Sequence, residues 1–259
     1  MYIDAHSHLD KYGDEIEDVL NQIKSNKIFT ISNSMDISAY QKNLEIASRT
    51  NLVIPTFGIH PWNASEFLDS KVNFENCILQ TPIIGEIGLD FFFIKDAAQY
   101  PSQIGLFEFF LQKASEQKKI IIVHTKGAEN EVLKFLLAHK ISSAIIHWYS
   151  GPIDILKKYL ECDNFYFTIN LELLYSKHIQ AIAKQIPNGK LLTELDNPGG
   201  VTGKIGMPNM IMDVVKKLSE IKKIGTTEMR TLIKSNLADL FKDNLWLKKQ
   251  NEIIENLCL

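Results

Sequence analysis

His6 and His8 stand two residues apart at the end of the apolar run that opens the chain, Tyr2-Ile3-Asp4-Ala5-His6-Ser7-His8. On an extended backbone such residues share a face, so both imidazoles point to one place and make a pincer for a metal ion. Other ligand-type residues close other apolar runs: Glu86 in Gly85-Glu86-Ile87-Gly88, His124, His147 and Asp196. Read singly, each is a hydrogen-bonded core histidine, an ion-pair partner or, for Asp196 before Asn197-Pro198-Gly199, a turn residue. Read jointly, His6, His8, Glu86, His124, His147 and Asp196 form a mixed nitrogen and oxygen donor set for a divalent metal. The set suits Zn²⁺, Mn²⁺ or Ni²⁺, with Mg²⁺ as a further candidate. Six donors exceed what one tetrahedral ion with an open position takes, and they fit two ions about 3.5–4 Å apart. The glycines around Glu86 are read as leaving room for its carboxylate to bridge them.

His60, in Gly58-Ile59-His60-Pro61, ends a run on the same rim. It either orients a phosphate, sits behind the ligands or closes its strand; with Trp148 it is taken as a substrate-binding candidate. His139 and His178 fall on or near helices and are read as solvated. Cys77, Cys162 and Cys258 are read as packing residues, as are Met207, Met210 and Met212.

What must position these residues is a regular alternation of elements. Strands are predicted from residue 2 and at 28–34, 52–60, 82–90, 120–124, 143–147, 164–170 and 190–196. Helical spacing appears at 14–23, 38–49, 103–117, 129–139, 153–160 and, as the closing pair, 210–221 and 226–241. Eight strands, each followed by a helix or a helix-length segment, predict an α/β fold, a (β/α)₈ TIM barrel of the metal-dependent hydrolase type. An open doubly wound sheet uses the same alternation. The ligand-type residues decide for the barrel, because they lie at strand exits, and a barrel brings those exits to one face. No repeat, low-complexity tract or linker divides the chain, so residues 1–259 are expected to form a single domain.

Hydrophobic residues make up 45% of the chain and charged residues 23%, the balance of a globular protein with a substantial core. A net charge of −3 argues against a broad basic surface that grips nucleic acid by charge alone. Three scattered cysteines, no signal-like N-terminus and no apolar run of membrane-spanning length point to a reducing, cytoplasmic setting away from membranes.

With these residues in view, the chain resembles the TatD family of metal-dependent deoxyribonucleases, among the amidohydrolase-like barrels. The resemblance runs over nearly the full length. It rests on Asp4-Ala-His-Ser-His-Leu-Asp10, Gly58-Ile-His-Pro61, Gly85-Glu-Ile-Gly-Leu-Asp90, the strand ending at His124, His147-Trp-Tyr-Ser-Gly151, Leu191-Leu-Thr-Glu-Leu-Asp-Asn-Pro198 and the closing Ser235-Asn-Leu-Ala-Asp-Leu-Phe241. It implies two ions, one held by His6, His8 and Asp196, the other by His124 and His147, with Glu86 bridging. The chain also departs from the family pattern. Leu195 stands where a threonine is usual, and Phe91-Phe-Phe-Ile-Lys95 lacks the arginine that commonly follows the aromatics. Phe110 replaces a second glutamine, and Gly206-Met-Pro-Asn209 lacks an arginine often found there. The metal set is intact, whereas groups that would meet a substrate are altered.

The reaction expected is hydrolysis of a phosphodiester in DNA, single-stranded or accessible at an end. Two ions polarise the phosphoryl oxygens and lower the pKa of a water towards neutrality. Asp196 and Glu86 are the catalytic carboxylates, Asp196 being the candidate proton acceptor. His60, Lys126 or Lys204 would neutralise a neighbouring phosphate. Phe91–Phe93, Trp62 and Trp148-Tyr149 either stack on unpaired bases or cover the barrel rim as core. One alternative keeps the metals and changes the bond, as in an aminoacyl-tRNA deacylase or another amide or ester hydrolase. Another makes the chain a TatD-like subunit of a multiprotein assembly, such as an anti-phage system, with partner proteins unknown.

Overall fold

The computed structural model describes residues 1–199 and 205–256. Lys204, Gly200 and Cys258 lie outside the described residues. The first strands are β1 (Tyr2–Ser7), β2 (Ile28–Ser32) and β3 (Val53–Pro55), alternating with α1 (Ile16–Ser25) and α2 (Ile37–Ala47). Two short helices, α3 (Ala64–Phe67) and α4 (Glu75–Gln80), lead to β4 (Ile83–Gly88), and α5 (Tyr100–Gln117) follows. The alternation continues through β5 (Ile120–His124), α6 (Glu129–Ala138), β6 (Ala144–Ile146), α7 (Ile153–Leu160), β7 (Phe165–Ile169), α8 (Lys177–Gln185) and β8 (Leu191–Thr193). Three helices close the chain: α9 (Ile211–Lys222), α10 (Thr226–Phe241) and α11 (Lys248–Asn256).

Every paired strand is parallel, in the order β1-β2-β3 and β4-β5-β6-β7-β8. Two seams close these sheets into a barrel. Between β3 and β4, Phe57 bridges to Ile84, and Gly85 N–H donates to Phe57 O at 2.9 Å. Between β8 and β1, Asp196 N–H donates to His6 O at 2.9 Å, and Leu195 N–H to a carboxylate oxygen of Asp4 at 3.0 Å. The second seam joins two ligand-type residues through their own backbones.

All five residues of β5 are buried, because a parallel strand in a barrel has side chains inside and helices outside. Each such isoleucine contributes about 1.5–3 kcal/mol relative to an exposed one. The predicted 52–60 strand is shorter than its apolar run. Pro55 has no N–H to continue the ladder, and the chain rejoins only at Phe57. Helix α8 and the final α11 were not read from the sequence as elements. Both are short: α8 buries Ile179, Ile182 and Ala183 at helical spacing, and α11 only Asn251 and Ile254. A local cap does mark α8, where Ser176 Oγ accepts from Ile179 N–H at 3.3 Å. Among the described residues no helix is long and apolar enough to cross a membrane.

Candidate metal centre

The strand exits bring all six donors together, and Glu86 lies at their middle. Its Oε2 is 3.3 Å from His6 Nε2 and 3.5 Å from His8 Nε2. Its Oε1 is 2.9 Å from His124 Nδ1, 3.4 Å from His60 Nε2 and 3.7 Å from His147 Nε2. One carboxylate thus faces a separate group of imidazoles with each oxygen. Burial opposes its ionisation, but His60, His6 and the hydrogen bond from His124 outweigh that and hold it well below the usual range.

On the first side, His6 Nε2 and His8 Nε2 are 3.3 Å apart, and Asp196 Oδ1 is 3.6 and 3.3 Å from them. A tetrahedral ion with bonds of 2.0–2.1 Å separates its ligands by roughly 3.3–3.4 Å. The separations among His6, His8 and Asp196, and those from both imidazoles to Glu86, are close to that spacing, so these residues fit a divalent ion. On the second side, His60, Glu86 and His124 form another group able to hold one, and His147 joins His6 and Asp196 in a third overlapping group. The ring of His147 stacks on that of His6 at 3.6 Å.

Behind the donors stand two carboxylates whose role sequence reasoning missed or left general. Asp90 accepts from His124 Nε2 at 2.9 Å, leaving Nδ1 to face Glu86. It also accepts from Trp62 Nε1 at 2.7 Å and from the backbone N–H of Phe92 and Phe93 at 3.0 and 2.7 Å. Its letter was visible in the Gly-Leu-Asp motif, but nothing local tied it to His124. Glu194, a letter of the Leu191–Pro198 motif, lies 2.7 Å from His147 Nδ1 and so orients that ring. Burial lowers His147 to about 4 and raises Glu194 to about 8. Burial also pushes His124 down, yet its bonds to Asp90 and Glu86 outweigh this and raise it to about 9.

The flanking glycines also serve the packing of neighbouring strands. A Cβ at Gly85 would meet Ile122 Cβ at 2.8 Å, and one at Gly88, where φ is +147°, would meet His124 O at 2.0 Å. They let β4 approach β5. His60 lies inside the cluster rather than out on the rim. Its Nδ1 accepts from Trp62 N–H at 3.2 Å, which in the neutral ring leaves the proton on Nε2, facing Glu86. Burial lowers His60 to about 4, so the neutral form prevails at pH 7.

A cavity of about 280 Å³ opens over this cluster, walled by Trp62, Phe93, Lys126, Trp148 and Lys11. Trp148 holds a left-handed backbone, φ +38°, directly after His147, as Asp196 does at φ +54°. For bulky residues that conformation is rare and marks a constrained site. The rim aromatics divide. Trp62, Phe92 and Phe93 are exposed, whereas Tyr149 is buried with its hydroxyl on Pro152 O, and Phe91 stacks on Tyr100 at 4.0 Å. Tyr149 is therefore core, and Phe91 is half-buried and packs against the core. His178 is exposed as expected, but its Nε2 also meets the carbonyls of Ser150 and Gly151 at 3.1 Å.

A parallel barrel with a histidine and carboxylate cluster at its strand exits defines a metal-dependent hydrolase. The comparisons narrow the class. Residues 3–242 match the family described as TatD related DNase, and the chain belongs to that family. It is 26% identical over 252 residues to "Uncharacterized metal-dependent hydrolase MJ1582" of Methanocaldococcus jannaschii, covering 94% of this chain and 98% of that one. It is 28% identical to "Uncharacterized metal-dependent hydrolase MG009" of Mycoplasma genitalium, covering 93% and 98%. The fold is shared with the TatD homologue YjjV of Escherichia coli, at a TM-score of 0.79, 19% identity, and coverage of 93% and 98%.

Proposed function

We propose that the chain hydrolyses phosphodiester bonds in DNA, at single-stranded or end-accessible sites, using two divalent ions bridged by Glu86. The observation that carries the reading is the division of that carboxylate, Oε2 towards His6 and His8, Oε1 towards His124, His60 and His147. On this reading His6, His8 and Asp196 would hold one ion and His124 and His147 the other. Bound ions would polarise the phosphoryl group and supply an activated water. The family's description supports DNA as the substrate.

The chain's own residues divide the remaining work. Asp196 keeps 19% of its side chain exposed against 2% for Glu86, so it is the carboxylate that water reaches and the proton acceptor. Glu86 is committed through both oxygens and positions. His60, neutral with its Nε2–H on Glu86 Oε1, lines the cavity and would turn that proton to a phosphoryl oxygen when Oε1 holds an ion. Lys126 places an ammonium on the cavity wall and Trp148 a ring.

The test is metal analysis of the purified protein, then assay of a labelled single strand and the same strand annealed, with Mg²⁺, Mn²⁺ or Zn²⁺ restored. Metal-dependent cleavage that favours the single strand is expected. Cleavage of a blunt, stable duplex at an equal or faster rate contradicts the strand preference, and turnover of charged tRNA without DNA cleavage contradicts the substrate.

A further inference from the structure

Beyond Trp148 lies a second cavity, of about 650 Å³, which the reaction as derived does not use. It shares Phe93, Lys126 and Trp148 with the cavity over the cluster, so the two adjoin at that wall. We propose that it is a subsite for one unpaired nucleobase, carried by the nucleotide whose phosphate lies at the cluster. The proposal rests on the phosphodiesterase reading and gives its substrate a second point of attachment.

The walls suit the face of a base. Phe92 and Phe93 are each 55% exposed and Tyr175 60%, in a chain that buries Phe107, Phe110 and Phe167 almost completely. Folding leaves aromatic surface uncovered here, and bases stack on such surface whatever their sequence. Trp148 is already fixed: its Nε1 donates to Glu172 Oε2 at 2.8 Å, and the Lys126 ammonium lies 4.1 Å from its ring centroid. A preset ring loses little freedom when a base arrives.

The charges set the orientation. Glu129 and Glu172 line the cavity, which repels a phosphate there but offers acceptors to the amino and imino groups of a base. Lys126 is the one lysine or arginine among the described lining residues, and it sits at the shared wall. Two of its three N–H groups go to Trp148 O at 2.9 Å and Ser150 Oγ at 2.8 Å, leaving a third for a phosphate oxygen. Phosphate is therefore held on the cluster side and the base on the aromatic side. A base inside a duplex offers no free face, so the subsite admits unpaired nucleotides only.

The test uses the metal-loaded protein and three probes: deoxyadenosine 5′-monophosphate, deoxyadenosine 3′-monophosphate and 2-deoxyribose 5-phosphate, followed by calorimetry. At least one nucleotide is expected to bind roughly five- to 150-fold more tightly than the baseless sugar phosphate. Tyr175→Ala and Phe92→Ala should each remove much of that preference while leaving the sugar phosphate affinity and metal content unchanged, and Tyr175→Phe should retain it. Equal affinity for all three probes, including no binding of any, overturns the proposal, as does a loss in the alanine variants that falls equally on the sugar phosphate. Because binding needs no turnover, base-dependent binding without DNA cleavage supports the subsite and contradicts the nuclease reading separately.

Discussion

Asp90 accepts a hydrogen bond from Nε2 of His124 at 2.9 Å, and that bond leaves Nδ1 of the same ring facing Glu86. A carboxylate behind an imidazole fixes its tautomer and orientation, and losing such a partner typically costs 10–100-fold in metal affinity. Asp90→Asn is therefore expected to weaken the ion on the His124 side by about that factor while the ion between His6 and His8 stays. Metal titration followed by calorimetry checks this. Equal weakening of both ions would place Asp90 in the general fold and not behind His124.

Asp196→Asn separates ligation from proton transfer, because it keeps one oxygen donor and removes the basic one. Confirmed to hold two ions, this variant is expected to lose at least about a hundredfold in kcat. Glu194→Gln, which disturbs the bond to His147 Nδ1 and that from Asn170 Nδ2 at 3.5 Å, should cost less in turnover and more in stability. A fully metallated Asp196→Asn enzyme with near wild-type kcat would remove Asp196 from the proton's path.

The metal-free protein should be most stable near pH 6.5. Burial opposes the charge on His124, but Asp90 and Glu86 raise it from 6.5 to about 9, and burial raises Glu194 from 4.5 to about 8. Both bind protons more tightly folded than unfolded, so the stability they give is lost as pH rises through those folded values. His60 and His147, lowered by burial to about 4, act the other way between that value and 6.5. Melting temperature without metal is expected to fall from pH 6.5 to 8, and bound metal, which displaces the His124 proton, should flatten the fall. A metal-free protein whose melting temperature rises across that window contradicts the assignment.

The donors were legible because a parallel strand ends where its apolar run ends, so chemistry at a strand exit shows as a polar residue after isoleucines. Long elements such as α10 were legible for the same reason of period. What lay beyond reach depends on contacts distant in the chain. Asp90 meets His124 across 34 positions and Glu194 meets His147 across 47. Tyr175 lines its cavity from the segment after β7, where nothing in its surroundings marks it. The close approach of β4 to β5 at Gly85 and Gly88 was equally out of reach, because room at a glycine depends on which strand packs against it.

Gly88 gives that last point a test. Gly88→Ala would add a Cβ 2.0 Å from His124 O at a φ of +147°, so β4 and β5 must part next to a candidate ligand. A stability loss of at least about 1–3 kcal/mol in denaturant titration is expected, with weaker binding on the His124 side. A neutral substitution would show that the strands do not meet as described.

On the proposed reading Glu86 would divide its oxygens between two ions, and metal stoichiometry tests this directly. Metal-free protein titrated with Zn²⁺ or Mn²⁺ should take up two ions per chain. His8→Ala and His124→Ala should each lose one, from opposite sides, and Glu86→Ala should weaken both. One ion per chain in the wild type, or two retained at full affinity by Glu86→Ala, would contradict the bridged centre.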